Sequence, residues 1–410
     1  MRAVCEIGIC TECGACKTIC PKQCIHLCST DEGVRYMAID DAVCISCGLC
    51  TTSCPACHPI QLHHMQTAYA AKRKPEMAAK ESASGGVASA IYEYALSQGM
   101  LCAGVVLDTD QKARFLLTDQ LDVLSRFRNS KYTYSDTDGV YKSICQALRQ
   151  GKEVVFVGLP CQVAGMRQYA EATKCDTKGL YCVDLVCHGT PPPEYLVEHV
   201  AHLSGGEEYI ACHFRDHSYD TSRFMYTLYH EGAKKPFYKK AVDDTDLYQI
   251  GYHNALIYRD VCYRCVYAQK ERGGDITIGD YHGIGLLAPW NRDDHKLSCL
   301  VVNTPKGQTL IKELMEREML TLWERPLEEP IKGEPQFRHP SIAPPERTLF
   351  LARYRETENF ESASAVAFEG YVRRNRRRRM LFIPQLRRII RKVTPRTLRR
   401  LVRKVRNRKS

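Results

Sequence analysis

From residue 81 onward the apolar positions fall into short blocks of two kinds. Leu101–Leu107, Glu153–Val157 and Leu180–Val186 are compact runs of strand length. Val87, Ala90, Ile91, Tyr94 and Ala95 instead follow helical spacing, as do the segments Gly139–Gln150 and Pro193–Leu203. Strand and helix alternate in βαβ order, which predicts an α/β domain on a mostly parallel sheet. Tyr209–Phe214, Arg223–Tyr229, Ile276–Ile278 and Leu297–Val302 add predicted strands, and Pro305–Glu318 a helix. Ahead of this body, Val34–Ile39 alternates after the turn Asp31-Glu32-Gly33, the pattern of a hairpin. Behind it, Leu386, Ile389, Ile390 and Val393 share one helical face, and Leu398, Leu401, Val402 and Val405 repeat it.

These changes of pattern divide the 410 residues. Residues 1–60 form a small α+β domain, 61–80 a linker, 81–345 the α/β body, 346–370 a connector and 371–410 a basic amphipathic tail. The net charge of +11 belongs to the tail, which carries 18 Lys and Arg and no acid. The remainder holds 40 basic residues (58 less 18) against 47 acidic, a balance of −7. Any anionic partner therefore concerns residues 371–410. No apolar run approaches a membrane span. Gly-x-Gly-x-x-Gly after an early strand and a Walker A run are both missing, so a Rossmann or P-loop nucleotide site is not supported.

Cysteine is the residue that changes the picture. There are 22, in a chain without a targeting segment, which points to a reducing cytoplasm where thiolates serve metals. One spacing occurs twice: Cys10, Cys13, Cys16, Cys20-Pro21, then Cys44, Cys47, Cys50, Cys54-Pro55. Three thiolates two residues apart wrap one 4Fe-4S cluster, while the fourth, carried off at proline, reaches the other. Cys54 thus joins Cys10, Cys13 and Cys16, and Cys20 joins Cys44, Cys47 and Cys50. Zinc sites need four ligands and have no use for a duplicated triplet with a distal Cys-Pro. Disulfides would need bridges between cysteines set too close together. This part resembles a dicluster ferredoxin.

Four later cysteines lie at predicted strand ends: Cys161, Cys187, Cys262 and Cys265. Loops after neighbouring parallel strands gather at one sheet edge, so these thiols could converge on a third cluster or a zinc ion. The other reading is two buried cysteines plus a redox or zinc pair. Cys161 with His188 also raises a cysteine nucleophile, although nothing marks an oxyanion hole. Cys102, Cys145 and Cys299 sit in apolar segments and read as core. His58, His63 and His64 read as exposed linker residues. Ser84, Gly85 and Gly86 precede the first helix of the body: Ser84 fits as N-cap, and the bare N–H groups could hold a phosphate or carboxylate.

Ser82–Ala90, Ser130–Tyr132, Gly158–Val163, Asp184–Pro191, Phe214–Asp216 and Cys262–Cys265 through Arg272–Asp280 resemble, in order, the signature blocks of the coenzyme F420 hydrogenase/dehydrogenase β-subunit family. The resemblance implies an oxidoreductase with FAD held by the α/β body and 4Fe-4S clusters delivering electrons. It implies a redox partner such as a ferredoxin or a hydrogenase/dehydrogenase subunit, and a small-molecule substrate or deazaflavin-like coenzyme. It also favours a common site for the four later cysteines. Where many relatives carry Gly-Asp-Phe-Trp-Gly, this chain has Gly279-Asp280-Tyr281-His282-Gly283, a departure that bears on substrate if the loop faces the flavin. Relatives without a deazaflavin are found beside surface-polysaccharide genes, which makes a role in that biosynthesis a further expectation. Lys131, Arg215 and Arg272 are candidates for flavin phosphate or anionic substrate contacts, with Asp280 in the departing loop. The rivals are an electron-transfer subunit serving a partner enzyme, and a binding protein with structural clusters. For the tail, an anionic inner membrane surface ranks first, an acidic protein next and nucleic acid last.

Overall fold

The computed structural model describes residues 1–74, 82–219, 224–292 and 296–380. Near the N-terminus β1 (Arg2–Ala3), β2 (Ile25–Ser29) and β3 (Arg35–Ile39) pair antiparallel in the order β1-β3-β2. The β2–β3 connection is the hairpin that Asp31-Glu32-Gly33 predicts, with Gly33 at φ 83° donating to the Thr30 carbonyl (2.8 Å). Two short helices, Ala15–Ile19 and Leu49–Thr52, pack against each other. Each opens at a left-handed glycine, Gly14 (φ 79°) and Gly48 (φ 75°), just after the second cysteine of its run.

The body rests on β4 (Thr67–Arg73), β5 (Leu101–Leu107), β6 (Ala113–Thr118), β7 (Ser135–Asp136), β8 (Val154–Gly158) and β9 (Leu180–Leu185). A separate three-stranded sheet follows, of β10 (Ala211–His213), β11 (Met225–Tyr229) and β12 (Tyr238–Ala241). Then β13 (Ile276–Asp280), β14 (Ser298–Val302) and β15 (Leu320–Arg325) complete a nine-stranded sheet of order β15-β4-β14-β13-β9-β8-β5-β6-β7. Its centre, β13-β9-β8-β5, is parallel. On either side β15-β4-β14-β13 and β5-β6 are antiparallel, so the sheet is mixed, parallel at its centre rather than throughout. Connection length decides this: β5 returns as β6 over a short turn, whereas β8 reaches β9 through the helix Pro160–Ala172.

Three expectations need correction. Residues 61–80 are not simply a linker, because β4 is hydrogen-bonded on both sides, to β14 and β15. Ala68, Ala70 and Ala71 fill that strand and are fully buried, and a Cβ on Gly85 would stand 2.2 Å from the Ala71 carbonyl oxygen. Small residues let the Ser82–Gly86 segment lie directly on the strand. Nor is Ser84 the N-cap of the helix Val87–Ser97: Gly86 (φ 83°) takes that place, and Ser84 Oγ donates to the Leu297 carbonyl (2.8 Å). Finally, the 346–370 connector folds as the helices Glu346–Thr357 and Phe360–Ala367, whose Phe350, Phe360 and Ala363 join a core with Tyr195, Tyr226 and Tyr248.

The basic segment begins as part of the fold. In the helix Glu369–Met380, Asn375 donates to the Asp244 carbonyl (2.7 Å) and Arg379 pairs with the Asp244 carboxylate. The two apolar stripes from Leu386 to Val405 lie outside the described residues. Among the described residues no helix is long and apolar enough to cross a membrane.

Candidate functional site

The duplicated run folds into two cysteine-lined cavities. Cys10, Cys13, Cys16 and Cys54 line one, and Cys20, Cys44, Cys47 and Cys50 the other, which is the crossed grouping that the distal cysteines give. All four thiols of the first are buried, and burial pushes Cys13 up to about 12. The second lies nearer solvent: Cys47 is exposed, as are Ile45 and Leu49 beside it. Sequence spacing overlooks Cys5, which lines the first cavity, and Cys24, whose Sγ is 3.4 Å from that of Cys20. Neither belongs to a repeated run. Four convergent thiols in each cavity fit the donor set of a 4Fe-4S cluster.

Cys161, Cys187, Cys262 and Cys265 line a third cavity of about 30 Å³, together with Thr11, Arg259 and Arg272. Cys161 stands in the first turn of the helix after β8, and Cys187 just beyond β9. Since β8 and β9 are parallel neighbours, both cysteines reach the same sheet edge. The turn Asp260–Arg264 supplies Cys262 and ends at Cys265. His188 directs Nε2 toward Glu334 (3.7 Å).

Arg259, which no motif marked, holds the third cavity against the N-terminal domain. Its Nη1 donates to the Thr11 carbonyl (2.8 Å) and pairs with Glu12 (3.1 Å), and its Nη2 approaches Cys262 Sγ (3.8 Å). The guanidinium lies 3.5 Å above the Tyr134 ring centroid. Burial is the largest influence and works against its charge, but Glu12, Cys262, Tyr134 and Cys161 together outweigh it, so its pKa rises well above the usual value.

A larger cavity, about 280 Å³, opens at the carboxyl ends of β8, β9 and β13. Tyr92, Phe127, Tyr132 and Tyr252 give it aromatic walls. Gly86, Val87, Ala88 and Ser89 also line it, from the start of a helix that has no side-chain cap and no acid in its first turn. Backbone N–H groups at such an end favour an anion. Ser84 lines this cavity, whereas Gly85 is a packing residue whose N–H donates to Ser298 Oγ (3.0 Å).

The candidate cations divide. Arg215 and Asp280 both line the large cavity and are paired there (Nη2 to Oδ2, 2.8 Å), with Arg215 Nε donating to Tyr132 Oη (2.6 Å). Burial acts to raise Asp280, and Arg215 overrides it, holding the carboxyl below its ordinary range. Lys131 lines the cavity too, but its ammonium donates to the carbonyls of Arg126 (3.0 Å), Phe127 (2.9 Å) and Arg128 (2.7 Å). Three donors meeting three acceptors leave none for a phosphate. Arg272 does not reach the large cavity. It is buried against Asp184 (2.9 Å) and the Tyr267 and Leu185 carbonyls, beside the cysteine cavity.

Thiol-lined cavities beside an anion-ready pocket on an α/β sheet define a thiol-rich α/β protein. Family comparison gives the particular family. Residues 68–142 match the N-terminal and residues 151–326 the C-terminal region of the coenzyme F420 hydrogenase/dehydrogenase beta subunit, and the chain belongs to that family. It is 27% identical over 177 residues to the coenzyme F420-dependent sulfite reductase of Methanocaldococcus jannaschii, an alignment covering 41% of this chain and 26% of that protein. The chain thus spans about a quarter of the length of that relative. A chain of the F420-reducing NiFe hydrogenase complex from Methanosarcina barkeri is similar at 17% identity and TM-score 0.42, over 74% of this chain and 92% of that one.

Proposed function

We propose that the chain is an oxidoreductase subunit in which the large cavity binds FAD and the three cysteine sites hold 4Fe-4S clusters. One observation carries this reading: neighbouring sites share walls. Leu159, Cys187, His188 and Gly189 line both the large cavity and the four-cysteine cavity. Thr11 lines both the four-cysteine cavity and that of Cys10, Cys13, Cys16 and Cys54. When bound, clusters carry single electrons and a flavin exchanges them for two-electron chemistry on an organic substrate or a deazaflavin-like coenzyme.

The residues themselves have definite tasks in this reading. The first turn of Val87–Ser97 holds the flavin phosphates through backbone N–H groups. Arg215, fixed by Asp280 and Tyr132, presents a positive edge to the cavity. Arg259 and the burial around Cys161 and Cys262 keep water from the inner thiols. At the other end the exposed Cys47, with Ile45 and Leu49, offers a face to a redox partner such as a ferredoxin or a hydrogenase/dehydrogenase subunit. The basic residues 371–410 are assigned to an anionic membrane surface on the cytoplasmic side, on sequence pattern alone. A link to surface-polysaccharide synthesis has no counterpart in the chemistry of these cavities and forms no part of the reading.

Iron, sulfide and flavin per chain, measured on anaerobically purified protein, test it. About twelve irons with one FAD are expected. About eight irons would make the later four cysteines structural. Clusters without any flavin, even after reconstitution, would replace the enzyme by an electron-transfer subunit serving a partner, the reading that the exposed second site also favours.

A further inference from the structure

We propose that His188, His282 and Glu334 form a binding site for a divalent transition-metal ion at the mouth of the large cavity. One ligand atom from each lies within 4.8 Å of the others. Glu334 Oε2 is 3.7 Å from His188 Nε2 and 3.6 Å from His282 Nε2. Ligands around a tetrahedral ion at zinc distances stand about 3.4 Å apart, so the carboxylate already stands at nearly the right separation from both imidazoles. The two rings meet edge to face with centroids 6.4 Å apart, and a swing of roughly 1 Å closes them on an ion. Two imidazoles and one carboxylate suit zinc or ferrous iron and leave coordination positions open.

The backbone builds this meeting from three distant segments. His188 follows β9, His282 follows β13, and Glu334 caps the helix Glu328–Gly333. A Cβ on Gly333 would stand 2.1 Å from the His282 carbonyl oxygen, and one on Gly283 (φ 82°) 2.6 Å from Gly333 Cα. Only glycine at both positions allows the two chains to touch, and their contact sets His282 beside Glu334. Ser341 Oγ fixes the backbone of His188 by donating to its carbonyl (2.5 Å). Glu334 is 2% exposed, and its Oε1 accepts from Gln336 N (3.4 Å) while Oε2 faces the histidines. A buried carboxylate whose free edge is turned to two imidazole nitrogens is the donor set that a cation completes.

His188 and Glu334 also line the large cavity, so the open positions of an ion held here face whatever occupies it. Such an ion would draw an oxygen of an anionic or carbonyl-bearing substrate to the cavity mouth and polarise it as a Lewis acid. His282 lies in the loop directly after β13, the strand whose carboxyl end opens on the large cavity. The site stands whether or not a flavin fills the cavity.

The test is zinc binding by the full-length, cluster-loaded chain, by equilibrium dialysis under anaerobic conditions with iron measured in the same samples. The wild type should hold one zinc that His282→Gln and His188→Gln each lose, with affinity reduced at least ~10-fold and iron content unchanged. His282 is half exposed, so its replacement leaves the fold intact, and a circular-dichroism spectrum identical to wild type checks that. No zinc bound by the iron-replete wild type would overturn the site. So would equal zinc in both histidine variants, which would put the ion on thiols.

Discussion

Glu12 should be the pivot of the contact between the N-terminal domain and the body. It lies between Cys10 and Cys13, is 8% exposed, and pairs through Oε1 with Arg259 (3.1 Å) and through Oε2 with Arg35 (2.9 Å). Arg259 itself is 4% exposed. Glu12→Gln keeps the shape and removes the charge, leaving the Arg259 guanidinium buried without its counter-ion. Removing one partner of a buried pair costs about 3–5 kcal/mol. Arg35 keeps Glu194 (2.7 Å), whose side chain is 53% exposed, so that half of the network adds at most about 1 kcal/mol. Arg259→Met strands less charge, because Glu12 retains Arg35, and should cost about 2–3 kcal/mol. In the double variant no charge is stranded, so its cost should fall to about that of Arg259→Met alone, a coupling of about 3–5 kcal/mol.

Calorimetry on cluster-loaded protein reads this as a melting shift. With about 2.1 cal/mol/K per residue over roughly 370 residues, unfolding entropy is about 0.8 kcal/mol/K, so about 3–5 kcal/mol lowers the midpoint by about 4–6 °C. Iron content must be equal across the four proteins, so that cluster loss is not mistaken for the ion pair. Additive shifts, or a Glu12→Gln protein melting within about 1 °C of wild type, would show that the pair does not tie the two parts together.

Other expectations follow from the same geometry. Burial pulls His199 down, but Asp246 (3.0 Å) and Glu361 carry it up to about 9. Its folded pKa exceeds the unfolded value near 6.5, so its contribution, on the order of 3 kcal/mol, is full below that value and lost as pH rises through about 9. Denaturation midpoints should fall across that window in the wild type, and His199→Gln should lack the fall. A Cβ on Gly165 would stand 3.0 Å from Cys13 Sγ, so Gly165→Val should push on that thiol at a cost of about 1–3 kcal/mol and remove about four irons per chain. Unaltered iron would refute the contact. Ala88→Glu, at the uncapped helix start, should weaken flavin binding about tenfold or more with iron unchanged, as flavin titration would read. The full chain should co-sediment with anionic vesicles and a chain ending at residue 380 should not, because Arg379 and Asn375 are already engaged with Asp244. Equal binding by both chains would remove the membrane assignment.

What the sequence made legible was chemistry repeated at short range. The crossed cysteine grouping follows from a spacing of two residues and a proline, and Leu101–Leu107 was bounded correctly because a buried strand is a continuous apolar run. Strand β4 was not legible: Ala68, Ala70 and Ala71 carry little apolar signal, and their smallness makes sense only once the Ser82–Gly86 segment is seen lying on them. Arg272 and Lys131 misled for a related reason. A cation in a motif looks available for a ligand until its acceptors are known, and here Asp184 and three backbone carbonyls take them. Glu12 with Arg259, and His188 with Glu334, are separated by more than a hundred positions, where no local pattern speaks.

The arrangement that matters most for function depends on that silent category. The first cysteine cavity and the four-cysteine cavity come from segments separated by more than a hundred residues, and they share Thr11 because Arg259 holds its carbonyl. Gly165, without a side chain, lets the helix Pro160–Ala172 settle against Cys13, while the start of the same helix carries Cys161 to the next cavity. One helix therefore sets the spacing between the two thiol groups. Motifs choose what each cavity can hold, whereas a glycine and a buried arginine decide whether neighbouring cavities lie close enough to act together.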